Sequence, residues 1–128
     1  DESFNANTAS MTAALDVFAG LAAPGGRKIL LLGDMLELGA QGPELHASLA
    51  QAVSSSGAER IYLVGPLMAA LAEKLPRGAV AAHAQSADEM VPILLNDLAY
   101  GDALMVKGSK GVGLADVVEQ VRRQFGND

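Results

Sequence analysis

Residues 27–34 read RKILLLGD, and the reading of this stretch decides the fold. Ile29, Leu30, Leu31 and Leu32 follow one another without a polar interruption. A strand with one wet face would alternate, whereas an unbroken apolar run fits a strand covered on both faces. RIYLVGP (60–66) and DALMVKGS (102–109) repeat the pattern, and AVAAHA (79–84) is a weaker version of it. The first three of these runs end in glycine within a residue or two.

Helical periodicity fills the intervals. TASMTAALDVFAGLAA (8–23) carries Met11, Leu15, Phe18 and Ala22 at helical spacing, and Pro24-Gly25-Gly26 stops it. PELHASLAQAVSSSG (43–57) predicts a helix with Leu45, Leu49 and Val53 inward, ended by Gly57. Met68, Leu71, Ala72 and Leu75 mark a short helix closed by Pro76. SADEMVPILLNDLA (86–99) opens with the capping-box pair Ser86 and Glu89. Pro92 then predicts a helix that is kinked or starts later. GLADVVEQVRRQFG (113–126) places Leu114, Val117, Val118, Val121 and Phe125 on one face. Strand and helix alternate throughout. The expectation is an α/β fold: a three-layer, doubly wound, Rossmann-like and mostly parallel sheet with helices on both faces. The first helix has no strand before it here, so DESFNAN (1–7) reads as a loop that follows a strand further upstream.

Composition bounds the function. The chain has 128 residues, half of them hydrophobic, which is enough apolar material for one full core. A net charge of −6 argues against a nucleic-acid partner, which needs a clustered basic surface. There is no cysteine, hence no disulfide framework and no thiolate chemistry. No stretch reads as a membrane span or a signal peptide, and a cytoplasmic location is the expectation.

In open parallel sheets ligands bind beyond the carboxyl ends of the strands. The loops there contain Gly33 and Asp34, then Gly65, then Lys107, Gly108, Ser109, Lys110 and Gly111. Asp34 reads equally as a cap of the next turn. Lys107 and Lys110 read also as solvated surface lysines. Asn7 is expected to cap the first helix in any case. His46 lies one residue off its apolar stripe, the pattern of a partly buried structural histidine. With His83 as the only other histidine, a structural zinc site is not expected. No metal site is assigned. KGSKGVG (107–113) has the wrong spacing for a GxxxxGK[ST] phosphate loop or for GxGxxG, and there is no GxSxG elbow.

Three segments together resemble the C-terminal domain of the Mur ligases of bacterial cell-wall synthesis. The family's D-D-S-Y-N-A-N-P stands here as Asp1, Glu2, Ser3, Phe4, Asn5, Ala6, Asn7, Thr8. Its G-D-M-x-E-L-G with a following histidine stands as Gly33, Asp34, Met35, Glu37, Leu38, Gly39 and His46. Its V-K-G-S-R/K-G stands as Val106, Lys107, Gly108, Ser109, Lys110, Gly111. The resemblance implies a fragment of a longer chain, with residues 1–8 as an interdomain junction and 9–128 as the substrate-closing domain. It implies partners in the chain's own N-terminal and central domains, the latter holding the phosphate loop and magnesium. The branch it is most similar to uses ATP to join D-alanyl-D-alanine to UDP-N-acetylmuramoyl-tripeptide in the bacterial cytoplasm, by way of an acyl phosphate. The isolated fragment would then be inactive.

By the same resemblance Glu2, Asn5 and Asn7 would face adenine and ribose. Lys107 and Ser109 would serve catalysis near the transferred phosphoryl group. Asp34, His46 and Gly108 would line the dipeptide side, where Asp34 or His46 would hold the dipeptide's ammonium or orient a neighbour. Glu2 for aspartate and Phe4 for tyrosine depart from the family, as does Thr8 for proline. Two alternatives stay open. One is a receiver-like phospho-acceptor domain, although RKILLLGD offers only Asp34 where a receiver needs an acidic pair. The other is a doubly wound binding domain without chemistry.

Overall fold

The computed structural model describes residues 7–126. Helix α1 (Thr8–Ala19) leads to strand β1 (Lys28–Gly33), helices α2 (Gly42–Ala47) and α3 (Ala50–Ser54), and strand β2 (Arg60–Val64). Helix α4 (Met68–Lys74), β3 (Val80–Ala84), α5 (Ala87–Asp97), β4 (Ala103–Lys107) and α6 (Leu114–Phe125) follow. The four strands form one parallel sheet in the order β3-β2-β1-β4.

The unbroken apolar run of β1 is divided between two cores. Leu30 and Leu32 point to one side, where they meet Met11, Leu15 and Phe18 of α1, Val53 of α3, and Met68 and Leu71 of α4. Ile29 and Leu31 point to the other, against Met90 and Leu94 of α5 and Leu114 and Val117 of α6. All four β1 residues are fully buried. This is the doubly wound arrangement: β1 must be apolar on both faces because helices cover both.

Asn7 caps α1, its Oδ1 accepting from the Ser10 amide at 2.9 Å while Ser10 Oγ accepts from the Asn7 amide at 3.1 Å. The 43–57 segment differs from the single helix predicted. Ser48 Oγ donates to the Leu45 carbonyl at 2.6 Å, and the chain turns at Ser48–Leu49 to give α2 and α3. The break rotates the inward face: Leu45 becomes half-buried, whereas His46 is completely buried beside Leu49 and Val53. Helix α5 starts at Ala87, where its cap places it, with Ser86 Oγ accepting from the Glu89 amide. It does not start later on account of Pro92. That proline is exposed, so the carbonyl it leaves unpaired, that of Asp88, lies on the wet side of the helix.

At the amino ends of the strands a polar network ties α5 to the sheet. Asp102 accepts from the Arg27 amide at 3.0 Å, from Arg27 Nη2 at 2.9 Å and from the Ala99 amide at 2.9 Å. Asp97 accepts from Arg60 Nε at 2.9 Å and from the Tyr62 hydroxyl. The Arg27 hydrogen bond, aided by the two backbone amides and opposed by burial, holds the Asp102 carboxyl down to about 2. A carboxyl depressed when folded adds stability above its unfolded value and loses it as pH falls toward its folded value. Asp102→Asn should therefore cost about 2 kcal/mol at neutral pH. It should also flatten the loss of stability between about pH 4 and pH 2. Urea titration at several pH values checks this; a variant with the native acid slope contradicts it.

Candidate functional site

Strand order reverses between β1 and β4, since β2 and β3 lie to one side of β1 and β4 to the other. At such a switch point the two carboxyl-end loops diverge and leave a crevice. Here the loops after β1 and β4 are instead drawn together. Gly33 and Gly108 are backbone to backbone: a Cβ on Gly108 would stand 2.9 Å from Gly33 Cα and 2.7 Å from Leu114 Cδ1. A Cβ on Gly33 would stand 2.8 Å from the same Leu114 methyl. Position 108 has room for glycine alone, because the clash there is with backbone, and the Leu114 side chain lies against both positions.

Ser109 fastens the contact. Its amide donates to the Asp34 carbonyl at 3.0 Å, and its Oγ accepts from the Leu36 amide at 2.8 Å. It is 2 % exposed. Asp34, 3 % exposed, sends its carboxylate to the next loop along the sheet. Oδ2 accepts from the Leu67 amide at 3.1 Å and Oδ1 from the Met68 amide at 3.0 Å, so the carboxylate caps α4. Gly65 makes room for it: φ is +110°, and a Cβ there would fall 2.3 Å from the carboxyl carbon. His46 completes the set. Nε2 accepts from the Met35 amide at 2.9 Å, and Nδ1 lies 2.6 Å from the Gly42 carbonyl. These partners assign the neutral tautomer with its proton on Nδ1.

Asp34, His46 and Ser109 are thus brought together at the carboxyl edge, each with its polar atoms bonded to backbone. Neither His46 nitrogen is turned to Ser109, so there is no nucleophile–base pair. Of the two roles the sequence left to Asp34 and His46, this geometry is that of groups which orient their neighbours. An Asp34 carboxylate committed to two amides is also unsuited to accept a phosphoryl group, which sets aside the receiver alternative.

Lys107 ends β4 and, with Gly108, Ser109, Lys110, Leu114 and Val118, lines a cleft of about 300 Å³ between β4 and α6. Among the described residues Lys107 makes no ion pair. Asn7 reaches the same edge by a different route. Phe18, in the last turn of α1, lies under Lys28 at the start of β1, and Lys28 Nζ donates to the Ala19 carbonyl. Helix α1, about 18 Å long, therefore runs back along β1 toward its carboxyl end, where Met11 shares a core with Met35. Glu2 and Asn5 lie outside the described residues. No three metal-ligating side chains are grouped among the described residues.

A doubly wound domain with its polar loops gathered at the carboxyl edge is the class defined so far. The family model for the "Mur ligase, glutamate ligase domain" matches residues 3–110, and the chain belongs to that family. It is 36 % identical over 126 residues to the UDP-N-acetylmuramoyl-tripeptide–D-alanyl-D-alanine ligase of Synechocystis sp., covering 94 % of this chain and 26 % of that one. To the enzyme of the same name from Escherichia coli it is 30 % identical over 122 residues, covering 95 % and 26 %. The crystal structure of MurF from Acinetobacter baumannii superposes with a TM-score of 0.79 at 25 % identity, covering 94 % of this chain and 26 % of that one. MurF ligase from Thermotoga maritima, solved in complex with ADP, shares the fold with a TM-score of 0.73 at 19 % identity, covering 94 % and 27 %. The chain spans about a quarter of the length of the curated relatives it matches.

Two substitutions test the clamp. Gly108→Ala should cost about 1–3 kcal/mol through overpacking against Gly33 and Leu114. Asp34→Asn, which turns an amide group toward a backbone N–H, should cost about 1–3 kcal/mol. Denaturant midpoints check both; native stability in either variant contradicts the geometry described.

Proposed function

We propose that this chain is the C-terminal, substrate-closing domain of an ATP-dependent ligase that adds D-alanyl-D-alanine to UDP-N-acetylmuramoyl-tripeptide in the bacterial cytoplasm. Residues 1–8 form the junction with the central domain, and residues 9–128 form the domain itself. The observation that carries this reading is the clamp at the switch point. It joins two segments 73 positions apart, Leu36 and Ser109, and leaves Lys107 facing an open cleft beside them. The names of the relatives support the substrate assignment.

In this reaction the tripeptide's terminal carboxylate takes the γ-phosphoryl group of ATP, giving an acyl phosphate and ADP. The amine nitrogen of the dipeptide attacks the acyl carbon, loses a proton, and expels inorganic phosphate. Negative charge gathers first on the transferred phosphoryl oxygens and then on the carbonyl oxygen. A Lys107 ammonium fixed at the end of a strand opposes that charge without having to reorganise. Ser109 and Gly108 keep Lys107 in register with the β1 loop. Asn7 offers its remaining amide donor to the nucleoside end of ATP together with Glu2 and Asn5. The resemblance to the Mur ligases implies that magnesium is held by the central domain, and no metal-dependent step is assigned to this chain. Among the described residues no helix is long and apolar enough to cross a membrane.

Lys107→Ala in the full-length ligase should lower kcat by about 10²–10³-fold. KM for ATP should stay within about threefold, because the triphosphate contacts lie elsewhere. Phosphate release in the presence of both substrates checks this, and an unchanged kcat contradicts it. The 128-residue chain alone should release no phosphate.

A further inference from the structure

We infer that the outer edge of β4 is a strand-binding groove, filled in the full-length ligase by a further parallel strand from the chain upstream of residue 1; the inference rests on the ligase reading above. Strand β4 pairs with β1 alone. The Ala103 amide donates to the Arg27 carbonyl at 2.8 Å. In a parallel ladder successive residues turn their N–H and C=O groups to opposite sides. Ala103, Met105 and Lys107 therefore address β1, while Leu104 and Val106 present both backbone groups to the free side. No strand among the described residues meets them there.

The edge has the character of a covered one. Every residue of β4 is half-buried, whereas residues 29–33 of the adjoining β1 are buried. Edge strands that stay open are blunted by bulges, charges or short length. Strand β3, at the other edge, follows that rule: its pairing with β2 shifts register between Ile61 and Tyr62. Three of its five residues are alanine, which offer little apolar surface. Strand β4 is regular over all its register pairs and carries Leu104, Met105 and Val106 in its middle. Helix α6 overhangs it, with Ala115 exposed and Val118 half-buried along the cleft of about 300 Å³. A strand here walls that cleft along Val106 and Val118 and leaves its mouth at Lys107 open.

The occupant follows from handedness. Helices α3 and α4 lie on one face of the sheet and carry the chain from β1 to β2 to β3; α5 lies on the other face and carries it back to β4. Parallel crossovers are right-handed, so every crossover helix on the α3 and α4 face moves the chain in the direction from β1 toward β3. Helix α1 packs Met11, Leu15 and Phe18 on that same face and leads into β1. A strand before α1 therefore lies on the β4 side of β1. The position next to β1 is taken by β4 itself, so the open place is beyond β4. Because α1 starts at the carboxyl edge, that strand ends there and runs parallel to β4. This chain spans about a quarter of the length of its curated relatives, and a ligase of that length has the chain to supply it. A second copy pairing β4 with β4 about a twofold axis runs antiparallel and leaves α1 without its strand.

Hydrogen exchange read by mass spectrometry on peptides spanning residues 101–109 tests this, in the 128-residue chain and in the full-length ligase. In the 128-residue chain the Leu104 and Val106 amides should exchange at least about tenfold faster than those of Met105 and Lys107. In the full-length ligase all four should be protected alike, so these peptides should take up about two fewer deuterons at the same time point. That protection should be the same with and without ATP and the dipeptide, since a strand of the sheet stays in place when neighbouring domains open. Fast exchange at Leu104 and Val106 in a full-length enzyme that consumes D-alanyl-D-alanine overturns the inference and leaves the ligase reading standing. Protection that appears only with substrates bound assigns the edge to a closing domain and also overturns it. Protection in the 128-residue chain that rises with its concentration assigns the edge to a second copy, with the same consequence. A full-length protein that consumes no D-alanyl-D-alanine defeats the ligase reading and, with it, the assignment of the occupant.

Discussion

Two glycines without side chains let β1 and β4 end against each other, and the rest of the carboxyl edge depends on that approach. Once Gly33 and Gly108 touch, Ser109 falls within reach of both the Asp34 carbonyl and the Leu36 amide. The Asp34 backbone is then fixed, and its carboxylate can settle on the two amides that open α4. His46 takes up the next amide along. Each link satisfies a backbone group that an irregular buried loop would otherwise leave without a partner. A side chain at position 108 would strike the Gly33 backbone, part the strands and undo the series, whereas one at position 33 would press on Leu114 and Val112.

The two ends of the sheet are built by different means. At the amino edge, charge meets charge: Arg27 and Arg60 hold Asp97 and Asp102, and the network ties α5 to the starts of β1, β2 and β4. Those groups are partly buried, Asp102 almost wholly, and concern stability. At the carboxyl edge the buried polar side chains meet backbone, and the charges on Lys107 and Glu37 are left outward. A site that must bind and release charged substrates is better served by an over-determined frame bonded to backbone than by ion pairs that would compete for the same ligands.

The fold was legible because β1, β2 and β4 carry apolar runs that only a doubly covered sheet can bury, and because Asn7 and Ser86 mark helix starts locally. The site was legible as a set of segments but not as a mechanism of assembly. The acceptor role of Ser109 toward Leu36 spans 73 positions and leaves no local pattern. Asp34 reads as a cap for the turn that follows it, yet it caps a helix 33 positions later, in a space that Gly65 provides. His46 looked half-buried because the periodicity was read through Ser48, where the helix in fact breaks. The Arg27–Asp102 pair, 75 positions apart, had no sequence signal at all.

The central claim is that Ser109 and the glycine pair make the β1 and β4 loops one rigid unit. Native-state hydrogen exchange at the Leu36 amide measures this most directly, since Leu36 lies in an irregular, partly exposed loop where an unheld amide exchanges fast. The account predicts that Leu36 is protected to a level near that of the β1 amides, and that Ser109→Ala abolishes this protection while leaving β1 and β2 unchanged. Fast exchange at Leu36 in the wild-type chain would contradict it.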